Sequence, residues 1–269
     1  MFARKAVVGL ALLCALLFSA FAAQSASAIK GTTMFTCAKV EKGTVGFSDE
    51  HCKEAVSTGA KFKHDSIEQG LTTKFHATNN KTLDTPEKPT FDHTPAVLKG
   101  KVGGIAVTIS CTKVFGHGNL TNNLDAGTKE HYVQGTEITV HYTECEVTGP
   151  AECKIPEKTI HVVDATATTK GKGDNVTFVP KEGTTFVTFS FEGCKTKELN
   201  TKYEVKGSVT AQASGATLNF NEAAITATKE LTFGGQAAGL EGSITVSQAD
   251  ETPETGKTGN PISLTTVET

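Results

Sequence analysis

The chain has 269 residues, 26 of them basic and 29 acidic, with a net charge of −3 and no Trp. Arg4 is its only arginine, so the rigid guanidinium fork that recognises phosphate is missing from the rest of the chain, which excludes an Arg-rich nucleic-acid binder. Stacked sugar platforms draw on exposed Trp or Tyr, and only Tyr132, Tyr142 and Tyr203 are present, which disfavours an aromatic carbohydrate surface.

In chain order, Arg4 and Lys5 precede an apolar run from Ala6 to about Ala23, and small residues follow in Gln24-Ser25-Ala26-Ser27-Ala28. That order predicts a signal peptide over residues 1–28, cleaved after Ala28. Removing Arg4 and Lys5 from the 26 basic residues leaves 24 against 29 acidic ones, a mildly acidic and soluble balance of −5. No apolar tail follows Ser263-Leu264-Thr265-Thr266, so the expected product is secreted, extracellular and free of a membrane anchor.

Beyond the leader the pattern is β nearly throughout. Threonine supplies about one residue in six, and with Val, Ile and Phe it favours pleated strands, while Gly, Asn and Asp punctuate turns. A first segment, 29–78, holds candidate strands at Lys61–His64 and Thr73–His76 and one helix-like stretch from Ser48 to Val56, where Ser48 can cap and Asp49 and Glu50 suit a first turn. A polar stretch with three prolines, 79–95, reads as an exposed loop. Residues 96–269 read as the main antiparallel domain. Its strands alternate most clearly at Ile105–Cys111, Ile138–Tyr142 and Val187–Phe191, with further runs at Ile160–Val163, Asn175–Phe178, Tyr203–Lys206, Ile225–Ala227, Leu231–Phe233, Ile244–Val246 and Ile262–Val267. Short, regular spacing of strands and turns predicts an all-β antiparallel sandwich or barrel of ten or more strands, carrying a small N-terminal disulfide-tied element.

Six cysteines remain after cleavage: Cys37, Cys52, Cys111, Cys145, Cys153 and Cys194. An even number in an exported chain predicts three disulfides, and CxxC-type zinc spacing is missing. Sequence proximity pairs Cys37 with Cys52 and Cys145 with Cys153, leaving Cys111 with Cys194.

The eight histidines invite a metal test. If Cys145 faces Cys153 across a hairpin, His141 falls opposite Glu157 and Glu137 opposite His161. Both pairs share the disulfide's face, and Ile138, Val140, Tyr142, Ile160 and Val162 form the opposite, core-facing side. These four residues are the candidate metal ligands, but the two pairs lie about 13 Å apart, too far to share one ion. As plain cross-strand pairs each contributes about 0.2–1 kcal/mol. Carboxylates at Glu137, Glu144, Glu192 and Glu204 lie on predicted strands, but sequence sets no two at a glycosidase spacing. No nucleophile elbow or phosphate loop is present.

The blocks Gly31-Thr32-Thr33-Met34-Phe35-Thr36-Cys37, Gly46-Phe47-Ser48-Asp49-Glu50-His51-Cys52 and Val107-Thr108-Ile109-Ser110-Cys111-Thr112-Lys113-Val114 resemble a group of uncharacterised secreted, cysteine-containing all-β proteins from soil actinobacteria. Tyr142-Thr143-Glu144-Cys145 and Phe189-Ser190-Phe191-Glu192-Gly193-Cys194 carry the resemblance onward. It implies a bacterial exported protein and transfers no functional residue. The sequence thus points to a non-enzymatic extracellular binding or structural protein with an extracellular or cell-envelope partner, without catalytic residues or a cofactor. The alternative is a secreted hydrolase of polysaccharide or ester bonds acting through carboxylates or a His/Glu metal site.

Overall fold

The computed structural model describes residues 30–43, 45–49, 52, 54–79, 94–150, 152–221, 230–249 and 258–267. The predicted signal peptide, most of the loop at 79–95 and the strand at Ile225–Ala227 lie outside the described residues. Strands dominate, as the Thr, Val and Ile content dictates. The N-terminal part supplies β1 (Gly31–Gly43), β2 (Gly46–Phe47), β3 (Ala55–Val56), β4 (Ala60–Ser66) and β5 (Thr72–Thr78). Then come β6 (Ala96–Val102), the long hairpin of β7 (Ile105–Leu124) and β8 (His131–Gly149), β9 (Ile160–Thr168) and β10 (Asn175–Pro180). The last part holds β11 (Thr185–Ser190), β12 (Lys202–Lys206), β13 (Val209–Ser214), β14 (Thr217–Phe220), β15 (Thr232–Phe233), β16 (Gln236–Ala237), β17 (Gly239–Ala249) and β18 (Thr258–Val267).

Between sandwich and barrel, the hydrogen-bond ladder decides for a barrel. Antiparallel pairings run β17–β5–β7–β8–β9–β10–β13–β14, and β14 pairs back onto β17 through Thr217↔Thr245 to Phe220↔Gly242. Closure leaves no free edge around this ring of eight. The slot between β7 and β17 is filled twice along its length, by β5 beside Phe115–Thr121 and by β6 beside Ile105–Cys111. β5, in the N-terminal segment, is therefore a stave of the barrel.

Alternation sends one side of each stave inward. Phe75 and Ala77, Val114 and Gly116, Ile138 and Val140, Ala165 and Ala167, Val176 and Phe178, Leu218 and Phe220, and Ile244 and Val246 form one continuous interior. Both ends are covered. At one, β1 and β18 pair through Gly31↔Val267 to Thr36↔Ile262 and bring Met34, Ile262 and Leu264 into the core. The Leu264 N–H donates to the Gly215 carbonyl and the Thr32 hydroxyl to that of Gly173, seating these strands on the β13–β14 and β9–β10 turns. At the other, the four-stranded sheet β11–β12–β15–β16 contributes a cluster of Phe189, Phe191, Tyr203 and Phe233, with ring centroids 5.3–6.1 Å apart.

Asn79 opens the expected exposed loop, yet it is buried. Its amide donates to the carbonyls of Thr94 and Thr112 and its carbonyl accepts from the Val114 N–H, clamping the two ends of that loop to β7. Asn122 does the same for β1: it accepts from the Met34 N–H and donates to the carbonyls of Met34 and Ile67.

Two expectations need correction. The helix-like stretch from Ser48 to Val56 is the hairpin between β2 and β3. The Ser48 N–H donates to the Glu54 carbonyl and the Glu54 N–H to the Asp49 carboxylate, so the capping residues close a loop instead of a helix. The disulfides are Cys37–Cys52, Cys111–Cys145 and Cys153–Cys194. The first is as expected. The pairings Cys145–Cys153 and Cys111–Cys194 are overturned, because β8 has a neighbour on each side and Cys145 stands opposite Cys111 on β7. The chain from Pro150 to Thr159 leaves the sheet, and Lys154 bridges Glu192, which carries Cys153 to Cys194. Three disulfides belong to an oxidising compartment outside the reducing cytoplasm.

Candidate functional site

The expected His/Glu patch has a different register. On β8 and β9, His141 faces His161, Val140 faces Val162 and Tyr142 faces Ile160. Glu157 instead lies in a short 3-10 turn at φ 56, before β9 begins. Glu137 occupies a β-bulge at φ 52 and accepts a hydrogen bond from the Asn119 amide. The pairs His141/Glu157 and Glu137/His161 are thus not formed, because the disulfide assumed to set the register does not exist. The assignment of faces survives, since the discrepancy is an even number of residues. The structure brings His141 and His161 together, their Nδ1 atoms 2.6 Å apart and their rings edge to face.

Two further histidines continue the row. His117 on β7 stacks on His141 with centroids 6.0 Å apart, and His76 on β5 stands opposite His117. Phe115, 44% exposed, lies beside His76 and His117. Burial, and then the neighbouring His161 and His117, hold the His141 imidazole below its ordinary pKa; burial and then His117 do the same for His76. Sequence placed His141 and His161 on one outer face but could not set the four strands side by side. Among the described residues no three His, Cys, Asp or Glu side chains converge as a metal cluster.

The carboxylates are dispersed. Glu144 pairs with Lys113 at 2.5 Å and Glu204 with Lys206 at 2.7 Å, both on the surface. Glu192 serves through its backbone, bridged to Lys154.

The other candidate lies inside the barrel. A cavity of about 120 Å³ is bounded by Ile109, Val140, Tyr142, Val162, Phe186 and Leu240, among others. A second, of about 70 Å³, adjoins it across a waist of Val114, Ile138, Val140, Phe178 and Ile244. Small side chains open this space: Ala77, Gly116, Gly135 and Ala167 line the second cavity, and Ala165 the first. Tyr142 lies deep enough that burial pushes its phenol up to about 12. Tyr142 nevertheless retains accessible surface, as do Val140, Val162 and Phe186, and all four line the cavity. Its hydroxyl has no hydrogen-bond partner among the described residues, whereas the Tyr203 hydroxyl donates to the carbonyls of Glu198 and Leu199. Sequence alternation had put Tyr142 on the core side without indicating that its hydroxyl would be left over.

No known protein family, characterised protein or solved structure matches this chain. Its chemistry therefore rests on its own two constellations, a predominantly apolar chamber lined by Tyr142 and an outer row of imidazoles.

Proposed function

We propose that the protein is a secreted, non-enzymatic binding protein whose barrel holds a small apolar molecule. The observation that carries this reading is the Tyr142 hydroxyl, without a hydrogen-bond partner among the described residues, on a residue that lines a predominantly apolar cavity. A buried hydroxyl without a partner costs about 1–3 kcal/mol, a loss that a ligand's polar group recovers. Eight-stranded barrels have room for filling side chains or one small ligand. An apolar cavity near 150 Å³ stays dry and accepts a single aromatic ring. The about 120 Å³ chamber suits a ligand of that size, a single ring or short branched chain bearing one hydrogen-bonding group. Export is supported by the leader-like N-terminus and the three disulfides.

Calorimetric titration with p-cresol and toluene, alike in shape and different by one hydroxyl, tests the reading. Cresol is expected to bind roughly fivefold tighter than toluene, the value of one net hydrogen bond. Tyr142→Phe should remove that preference, and Ala165→Leu, which fills the chamber, should remove binding of both. If neither compound binds, or if both bind the Ala165→Leu protein as well as the parent, the proposal is wrong.

A further inference from the structure

We infer that His141 and His161 form a two-imidazole site on the outside of the barrel for a divalent transition-metal ion, Cu(II) above the others. The site is independent of the interior chamber. It rests on placement: the two residues are direct cross-strand partners, and their Nδ1 atoms converge to 2.6 Å with the rings at 83°. Adjacent strands give paired side chains a fixed separation, so the two donors are held in place by the ladder and little side-chain freedom is lost on binding.

The separation selects the ion. With metal–nitrogen bonds near 2.0 Å, neighbouring corners of a square plane set two nitrogens about 2.8 Å apart, and a tetrahedron sets them about 3.3 Å apart. The 2.6 Å spacing of this pair is close to the planar value and well short of the tetrahedral one. Square-planar nitrogen sites favour Cu(II) and Ni(II), and Cu(II) binds nitrogen donors most tightly of the divalent series. Zn(II) prefers the tetrahedral spacing.

Protons balance simply. With both rings neutral, one Nδ1 carries hydrogen and donates to the other. Binding moves that ring to its Nε2–H tautomer, so both Nδ1 lone pairs face the ion and no net proton is released. His117, stacked on His141, completes the surroundings of the pair on the β7 side, and the remaining corners of the square are left to water.

The test is titration of the whole exported protein with Cu(II) alone, in a buffer that does not bind metal, followed by calorimetry and electron paramagnetic resonance. One Cu(II) per chain is expected, with a planar spectrum carrying nitrogen coupling. His161→Asn and His141→Asn, both surface changes, should each weaken binding by about tenfold or more, with circular dichroism reporting that the barrel is intact. His131→Asn, on a different part of β8, should leave it unchanged. Absence of stoichiometric binding, binding that survives His141→Asn and His161→Asn, or Zn(II) bound as tightly as Cu(II) would overturn the assignment.

Discussion

Gly116 offers a direct test of whether the interior has room. It lies on β7 between Ala77 and Val140, borders the about 70 Å³ cavity and has no left-handed φ. A Cβ built on it meets Ala77 Cβ at 3.6 Å, the Thr139 carbonyl oxygen at 3.6 Å and Val140 Cγ2 at 3.7 Å, all ordinary contacts. Gly116→Ala therefore adds a buried methyl, contributing about 0.8 kcal/mol. Restricting the unfolded chain contributes about 0.4–1 kcal/mol more. The expected gain of about 1–2 kcal/mol corresponds to a thermal midpoint roughly 3–6 °C higher for a chain of this size. Urea unfolding followed by far-ultraviolet circular dichroism, which does not need the absent Trp, should show a higher midpoint at unchanged slope. Gly207→Ala sets the opposite expectation. Gly207 has φ +101°, and its Cβ would stand 1.7 Å from the Glu230 carbonyl oxygen, backbone against backbone. That protein should unfold far more easily. A midpoint lowered by Gly116→Ala would mean that the barrel is already full, and it would undercut the chamber together with the proposed ligand.

Two other expectations follow from polar groups. Asn122→Leu strands the buried Met34 N–H and carbonyl and the Ile67 carbonyl, and should cost about 3 kcal/mol, or about 6–12 °C in a thermal melt. Asn123→Leu, which loses only an exposed bond to Gln134, should stay within about 0.5 kcal/mol; equal losses in the two would refute the clamp. Acid should weaken the fold. Burial is the first cause holding His64, His76 and His141 below 6.5, reinforced by His117 at His76 and by His161 and His117 at His141, and outweighing the Cys52 backbone bond at His64. The unfolded chain therefore takes up protons that the folded one resists, so this stability is present above about pH 6.5 and lost as pH falls through the lowered folded values. The urea midpoint should drop between pH 7 and 5.5, and less so in a His76→Asn, His141→Asn double variant; a midpoint that rises on acidification would reverse the sign.

Local signals were legible in the sequence, and non-local ones were not. Alternation at Ile105–Cys111 and Ile138–Tyr142 identified strands and the faces they bury, because the period of two is intrinsic to the pleat. Barrel closure depends on β14 meeting β17 and on β5 and β6 sharing one slot, contacts between segments far apart in the chain that no local period encodes. Two of the three disulfide pairings failed for the same reason. Cys145 and Cys153 are close in sequence, yet Cys145 bonds across a ladder to Cys111, and Cys153 leaves the sheet for Cys194. At Ser48 the capping chemistry was real, but hydroxyl and carboxylate groups that cap helices close loops equally well. The histidine row required three strand registers at once, and the spare hydroxyl of Tyr142 required knowing what surrounds it.

The two proposed sites meet at a single peptide bond. His141 and Tyr142 are consecutive, and a strand sends consecutive side chains to opposite faces. The register that sets Tyr142 against Ile160 inside the barrel therefore sets His141 against His161 outside it. A slip of one residue would put the imidazoles into the apolar chamber and the phenol into water. A slip of two would keep Tyr142 inside but shift the imidazoles about 7 Å past one another. The protein guards against both. On one side, the disulfide from Cys145 to Cys111 pins β8 three residues from Tyr142. On the other, β8 carries an extra residue at Glu137 and β9 one at Asp164, both in the left-handed region. The second bulge cancels the first: Gly135 faces Ala167 and Val140 faces Val162 in the same register, and only Ile138↔Ala165 between them is displaced. Paired bulges therefore bend the ladder while leaving the stretch from Val140 to Tyr142 in step with β9. One register, set by one cross-link and two compensating bulges, fixes the inner hydroxyl and the outer imidazoles together.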